Sequence, residues 1–208
     1  MHNWGKIETI QQFKISIKYH LHTSSMVEIK SFDLQNVSIH YKWNNDKELN
    51  YYDSDYPHRH ESFEAFLRRI KSVLDENNDT ADLFEIHLAE NDKLIGIVDV
   101  NAIDNYNRRC FVNCTIGDRE YAGQGYDKAA LKIVLAHCFK EKKMHKVATT
   151  AFDFNTSWIE SVKDLGFSLE GQLREHVIKK DEYCDKLIFS ILESDYRPVG
   201  QEASVAAG

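Results

Sequence analysis

One stretch, residues 111–167, constrains this chain more than any other. At its centre lies Ile116-Gly117-Asp118-Arg119-Glu120-Tyr121-Ala122-Gly123-Gln124-Gly125-Tyr126-Asp127. An apolar strand end runs into a turn with two glycines, and a helix pattern follows at once. The first amides of a helix have no carbonyl partner within it, and the macrodipole places partial positive charge there. Gly123 and Gly125 let the backbone take unusual dihedrals and approach a guest closely. A phosphate or pyrophosphate suits such a turn. Taken alone, two glycines before a helix more often mean only a tight connection. Asn155, which can cap a following helix, and Leu165-Gly166-Phe167, with a glycine to end it, add to the pattern.

Around this stretch the periodicities predict an α+β layer structure. Phe13, Ile15, Ile17, Tyr19 and Leu21 alternate with polar residues, as a half-buried strand does. A helix is expected over 34–45. Phe63, Phe66, Leu67, Ile70, Val73 and Leu74 form one apolar stripe at helical spacing. Between them Tyr51, Tyr52, Asp53, Asp55, Tyr56, His58 and His60 read as one crowded loop, able to hold an amine or sugar or simply to tuck its aromatics beneath it. Phe84, Ile86 and Leu88 alternate as a strand, and Asn91-Asp92-Lys93 turns into a second strand over 94–102. A third strand covers 110–116. The helix after the glycine turn is apolar on two sides, so it is expected between layers. A strand over 147–154 and a closing hairpin, 171–179 and 183–192 turned by Lys180-Asp181-Glu182, complete the set. Hairpin-joined strands with helices inserted at three places argue for packed layers. Residues 1–25 are read as an extension that adds a strand or pairs with a second copy, 26–197 as the domain, and 198–208 as a tail.

The glycine pair, Asn155 and Leu165-Gly166-Phe167, at their observed spacing, resemble the GNAT superfamily of acyl-CoA-dependent N-acyltransferases. The similarity is greatest to the branch of ribosomal-protein N-terminal acetyltransferases and spermidine acetyltransferases. It spans roughly 27–196. It implies a mixed, twisted sheet of about seven strands with helices on both faces, whose fourth and fifth strands splay apart to admit pantetheine. It implies acetyl-CoA or another acyl-CoA as cofactor. It also implies cofactor contacts at Ile116, Ala122, Gly123, Gln124, Gly125, Tyr126, Asp127 and Asn155. The acceptor side would involve Trp43, Tyr52 and Phe111. The acceptor would be a small-molecule amine, such as an amino sugar or polyamine, or a protein N-terminus.

The family pattern is broken at four positions. Ala122 offers no side-chain donor where Arg or Gln is usual, and Asp127 puts a carboxylate where a small residue is usual. At contact distance two anions repel by roughly 1 to 4 kcal/mol, depending on dielectric. Alternatively, Asp127 merely suits the first turn of its helix and points outward. Transfer to an amine also needs a proton acceptor, donors for the developing oxyanion and a route for the leaving thiolate. The positions where the family places its Glu and Tyr for this work fall on Phe111 and Val162. Three readings stay open. Proximity and water suffice; other groups take over, with Glu175 and Tyr183 of the closing hairpin the catalytic candidates beside Asp153, His176 and Asp185; or the chain binds without catalysis.

Composition narrows the rest. With 33 acidic against 26 basic residues, the net charge of −7 argues against a broad nucleic-acid surface. No run is apolar enough to span a bilayer, and residues 1–25 lack the apolar core of a signal peptide, so a cytoplasmic protein is expected. Cys110, Cys114, Cys138 and Cys184 form no C-x-x-C pair and read as reduced, packed thiols. No metal site is expected; His58 and His60 lack a third matched ligand. The alternating segment at 13–21 could mediate a homodimer.

Overall fold

The computed structural model describes residues 26–197. The strand expected at 13–21 and the tail from 198 lie outside the described residues. In chain order the elements are β1 (Val27–Ser31), a 3-10 turn (Leu34–Asn36), α1 (Val37–Asn44), α2 (Lys47–Asp53), α3 (Phe63–Val73), β2 (Asp82–Leu88), β3 (Leu94–Asp104) and β4 (Arg109–Ile116). A second 3-10 turn (Arg119–Tyr121) leads to α4 (Tyr126–Ala136) and a π-helical turn (His137–Glu141). Then come β5 (Lys146–Phe152), α5 (Thr156–Asp164), β6 (Ser168–Lys179) and β7 (Glu182–Leu192). The strands form one sheet in the order β1-β2-β3-β4-β5-β7-β6. Every neighbouring pair is antiparallel except β4 and β5, which run parallel.

Helices cover both faces, as the pattern predicts. On one face Phe84, Ile86, Val98 and Val112 pack with Leu131, Val134 and Leu135 of α4 and Val162 of α5. On the other, Leu83 and Ile97 meet Phe32, Phe66 and Ile70, which belong to the α1–α3 side. The helix α4 is thus apolar on two sides because it lies between the sheet and α5.

Two segments differ from expectation. First, α2 replaces the front of the predicted loop: Asp46 caps it, its carboxylate accepting from the amides of Glu48 (2.8 Å) and Leu49 (3.2 Å). A seven-residue helix is too short to show a 3.6 period. Second, β2 alternates in sequence but is buried on both faces from Phe84 to Leu88. Its polar members meet under α1, where the Glu85 carboxylate accepts from His40 Nε2 (2.8 Å), His87 Nε2 (2.9 Å) and Asn36 Nδ2 (2.9 Å). Burial alone would raise the Glu85 pKa; those hydrogen bonds outweigh it and hold it at about 2. These bonds to Glu85 tie α1 to the sheet, while the buried His40 Nδ1 has no partner. The neighbouring Trp43 lies flat on Gly117, where a Cβ would fall inside the indole.

Candidate active site

The site is made by a parting of strands. β4 and β5 pair only at Arg109–Lys146, Cys110–Val147 and Phe111–Ala148. Beyond that, β4 stays paired with β3 as far as Ile116 and β5 with β7 as far as Phe152, so the two strands diverge from each other while their outer edges remain bonded. The divergence opens a cavity of about 280 Å³, lined by Asn113 of β4, Thr150, Ala151 and Phe152 of β5, Lys186 of β7, and an arm made of the last turn of α2 and the residues after it, with Tyr52, Asp53, Asp55 and Tyr56.

The arm is tied down from two sides. Tyr51 and Tyr52 pack on Phe154, with ring centroids 5.0 and 5.9 Å away. From the closing hairpin, Lys179 donates to the Ser54 carbonyl (2.5 Å) and Lys186 holds both Asp55 oxygens at 2.7 Å. The Lys179 ammonium also lies over the Phe152 ring, 4.7 Å from its centroid.

Two carboxyls in this region are perturbed. Asp53 presents much of its surface to the open cavity, yet it sits deep among protein atoms. That confinement, and then the charge of Asp99, push it up to about 6, while Lys186 and Lys179 pull it back. Asp99 is likewise raised by burial, although hydrogen bonds from Asn101 and Asn113 oppose the rise. Asn113 therefore joins the cavity to Asp99 (3.2 Å). A carboxyl poised near neutrality in a cleft has the character of a general base.

Outside the cavity, the glycine turn has the form a phosphate needs. Gly123 (φ 71°) and Gly125 (φ 83°) both take left-handed backbone, and a Cβ added at either would meet nothing within 4 Å. The approach to α4's N-terminus is therefore open, and Gln124 is folded back, its amide donating to the Glu120 carbonyl (2.5 Å). The Asp127 carboxylate accepts from the Ser161 hydroxyl of α5 at 3.3 Å. Of the cations that could offset it, Lys128, Arg119 and Lys163, Arg119 pairs with Asp46 (2.7 Å) and Lys128 with Asp164 (2.6 Å).

The remaining predicted residues fall as follows. Ile116 closes β4, buried beneath the turn, and Ala122 precedes the glycines in extended backbone. Tyr126 begins α4, edge-on to Tyr121. Asn155 caps α5 by accepting from the Trp158 amide (3.4 Å), and the Trp158 indole in turn donates to the Thr150 carbonyl (3.2 Å). Tyr52 lines the cavity, as expected. Trp43 does not; it sits on Gly117 and borders a separate depression with Lys93 and Arg119. Phe111 stands at the last paired position of β4, below the divergence and outside the lining. Glu175 occupies a positive-φ position (52°) within an irregular stretch of β6, exposed, its amide donating to Asp185 (2.7 Å). Tyr183 is 66% exposed near the hairpin tip. Neither lines the cavity. Conversely, Asp99, Asn113, Thr150 and Lys186 were not singled out from sequence, although an acid amid the apolar run of β3 is an available signal for Asp99.

An acyl-CoA fits these residues. The open glycine turn and the free amides of α4 suit the pyrophosphate, and the unpaired margin of β5 suits an amide-bearing arm. Asp127 is the one group that opposes it.

Comparison with known proteins agrees. The Acetyltransferase (GNAT) domain family matches residues 27–168. An uncharacterised N-acetyltransferase, YnaD, of Bacillus subtilis is 23% identical over 84% of this chain and 98% of its own. Another, p20 of Bacillus licheniformis, is 28% identical over 56% of this chain and 65% of its own. A putative ribosomal N-acetyltransferase, YdaF of Bacillus subtilis, is 25% identical over 54% and 61%. Among solved structures, a spermidine N-acetyltransferase from Vibrio cholerae in complex with CoA and spermine superposes with a TM-score of 0.75 at 22% identity, covering 83% of this chain and 98% of that one. With the splayed sheet and the glycine turn already in place, the family match over most of the chain settles its kinship: this protein belongs to the GNAT acetyltransferases.

Proposed function

We propose that the protein moves an acetyl group from acetyl-CoA to the primary amine of a small polar acceptor, and that Asp53 takes the amine's proton. The observation that carries this reading is the placement of Asp53, with its pKa of about 6, in the cavity formed where β4 and β5 part.

The carrier supplies an activated acyl carbon and a thiolate leaving group. The amides at Gly123–Gly125 and the first turn of α4 would hold its phosphates, and Asn155 with the margin of β5 its arm. Tyr52 and Phe152 line the acceptor space. An ammonium entering from the arm side meets Asp53, which is deprotonated above about pH 6 and relays the proton onward by water. Asn113 stands at the same wall, bonded to Asp99, and presents an amide group to the reacting region. Positioning does the remainder; orientation of two reactants is worth several powers of ten in rate. On this reading Glu175 and Tyr183, both exposed and neither lining the cavity, do not handle protons.

The test is release of free thiol from acetyl-CoA against a panel of amines, with calorimetry of CoA alone beside it. Turnover on at least one amine, lost in Asp53→Asn with CoA binding retained, is the expected result. Tight CoA binding with no turnover on any amine would replace the transferase with a binding protein of the same fold, the reading that Asp127 favours. No CoA binding at all would overturn both.

A further inference from the structure

The acceptor cavity is lined by charges of both signs, Asp53 and Asp55 beside Lys186. Lys186 lines the wall contributed by β7, directly opposite Phe152 in the β5–β7 register. Its side chain is only 19% exposed, and its ammonium is held by the two oxygens of Asp55 at 2.7 Å each. An ammonium has three donors. Asp55 engages it with both oxygens, and the Phe152 ring centroid lies 6.0 Å away, so a guest at this wall would reach the ammonium beside Asp55. Lys179 stands behind it, 8% exposed, with its ammonium against the Ser54 carbonyl and the Phe152 ring.

Clamping the arm does not require both lysines. Lys179, bonded to the backbone of Ser54, already ties the arm to the hairpin. A second cation facing the cavity therefore calls for another explanation. Asp55 is the more exposed partner, its side chain 32% accessible against 19% for Lys186, so an incoming anion can share or replace it on the ammonium. At the same time Asp53 feels both lysines, which places an amine-seeking carboxylate and an anion-seeking ammonium within one small space.

We propose that the acceptor is a small amino carboxylate: its amine faces Asp53 and its carboxylate is read by Lys186. A diamine of the same length would bring its second ammonium against Lys186 instead. This rests on the transferase reading above and narrows its substrate class.

The experiment compares matched acceptors, β-alanine and 4-aminobutyrate against 1,3-diaminopropane and 1,4-diaminobutane. Thiol release and calorimetric binding are read on the unaltered protein and on Lys186→Gln and Lys186→Arg. The unaltered protein should favour the amino carboxylates about tenfold or more in kcat/KM, mainly through KM. Lys186→Gln should lose that preference and accept the diamines better than before, whereas Lys186→Arg should keep it. Faster turnover of the diamines by the unaltered protein would overturn the proposal. So would an equal loss on both acceptor classes in Lys186→Gln, the signature of a merely structural clamp. If no amine is acetylated, the transferase reading fails, and the calorimetry still decides this one: amino-carboxylate binding that disappears in Lys186→Gln supports it, and binding that Lys186→Gln leaves intact defeats it.

Discussion

At the scale of single residues, the chemistry rests on charges placed where burial makes them sensitive. Asp53 is the foremost case. Because its carboxyl is raised to about 6, the rate should fall as pH drops below that value and level off above it. Asp53→Asn should lower kcat by about a hundredfold or more, the usual worth of a positioned base, and should abolish the acid limb of the pH profile. A full-strength acid limb in the variant would assign the base elsewhere. Asp127 is the second case. Its bond to Ser161 restrains it but leaves a negative charge in the first turn of α4, beside the phosphate turn. Asp127→Gly should tighten CoA binding by about tenfold at low salt, consistent with a repulsion of roughly 1 kcal/mol. Calorimetry that found the affinity unchanged would show that the Ser161 contact already turns the charge aside.

At the scale of elements, α1 and β2 are joined by the buried Glu85 network, and this junction has a pH signature. Glu85 is held at about 2 against an ordinary value near 4.5. A depressed carboxyl stabilises the fold above its unfolded pKa, so the contribution is complete above about pH 4.5 and is lost as pH falls toward 2. The two values correspond to about 3 kcal/mol. His87 has the opposite sign. Burial would lower it, but its bond to Glu85 raises it overall, so its contribution is present below pH 6.5 and fades as pH rises past its folded value. Glu85→Gln should therefore cost about 3 kcal/mol near pH 5, read from denaturant melts, and flatten the acid limb of stability. A melt unchanged by the substitution would mean that the network is not holding α1. The same helix carries Trp43 onto Gly117. Gly117→Ala should cost about 1–3 kcal/mol, since the added methyl would occupy the indole's place. An unchanged melting temperature would show that Trp43 can move aside freely.

These elements also show what could be read from the chain and what could not. The glycine turn, the Asn155 cap and the glycine-ended α5 are local: each is written in a few adjacent residues, and each appears where expected. The apolar stripes of α3 and α4 were likewise legible, because burial on a helix face leaves a period. β2 was legible as a strand, but not the cover on its second face, since only the arrival of α1 buries Glu85 and His87. α2 was hidden by its brevity. The cavity was the least legible part. Asp53, Asn113 and Lys186 are far apart along the chain and meet at the cavity where β4 and β5 part, with Asp99 brought in as Asn113's partner across β3 and β4. No spacing rule registers that. Asp53 was noticed as one acid in a crowded loop, whereas Lys186 reads as one more charge on a strand.

For the whole molecule, the account joins two halves. One is a phosphate-binding turn built from backbone, where side chains count chiefly by staying out of the way. The other is an acceptor cavity built from side chains on the arm, the sheet and the closing hairpin. The parting of β4 and β5 is what connects them, since it runs from below the turn to the wall that holds Asn113 and Thr150. A crystal structure with CoA bound tests that connection most directly. The phosphates should rest on the amides around Gly123 and Gly125, with the sulfur entering the cavity between Asn113 and Thr150, on the side facing Asp53. Phosphates bound away from that turn, or a sulfur that stops short of the cavity, would contradict the account.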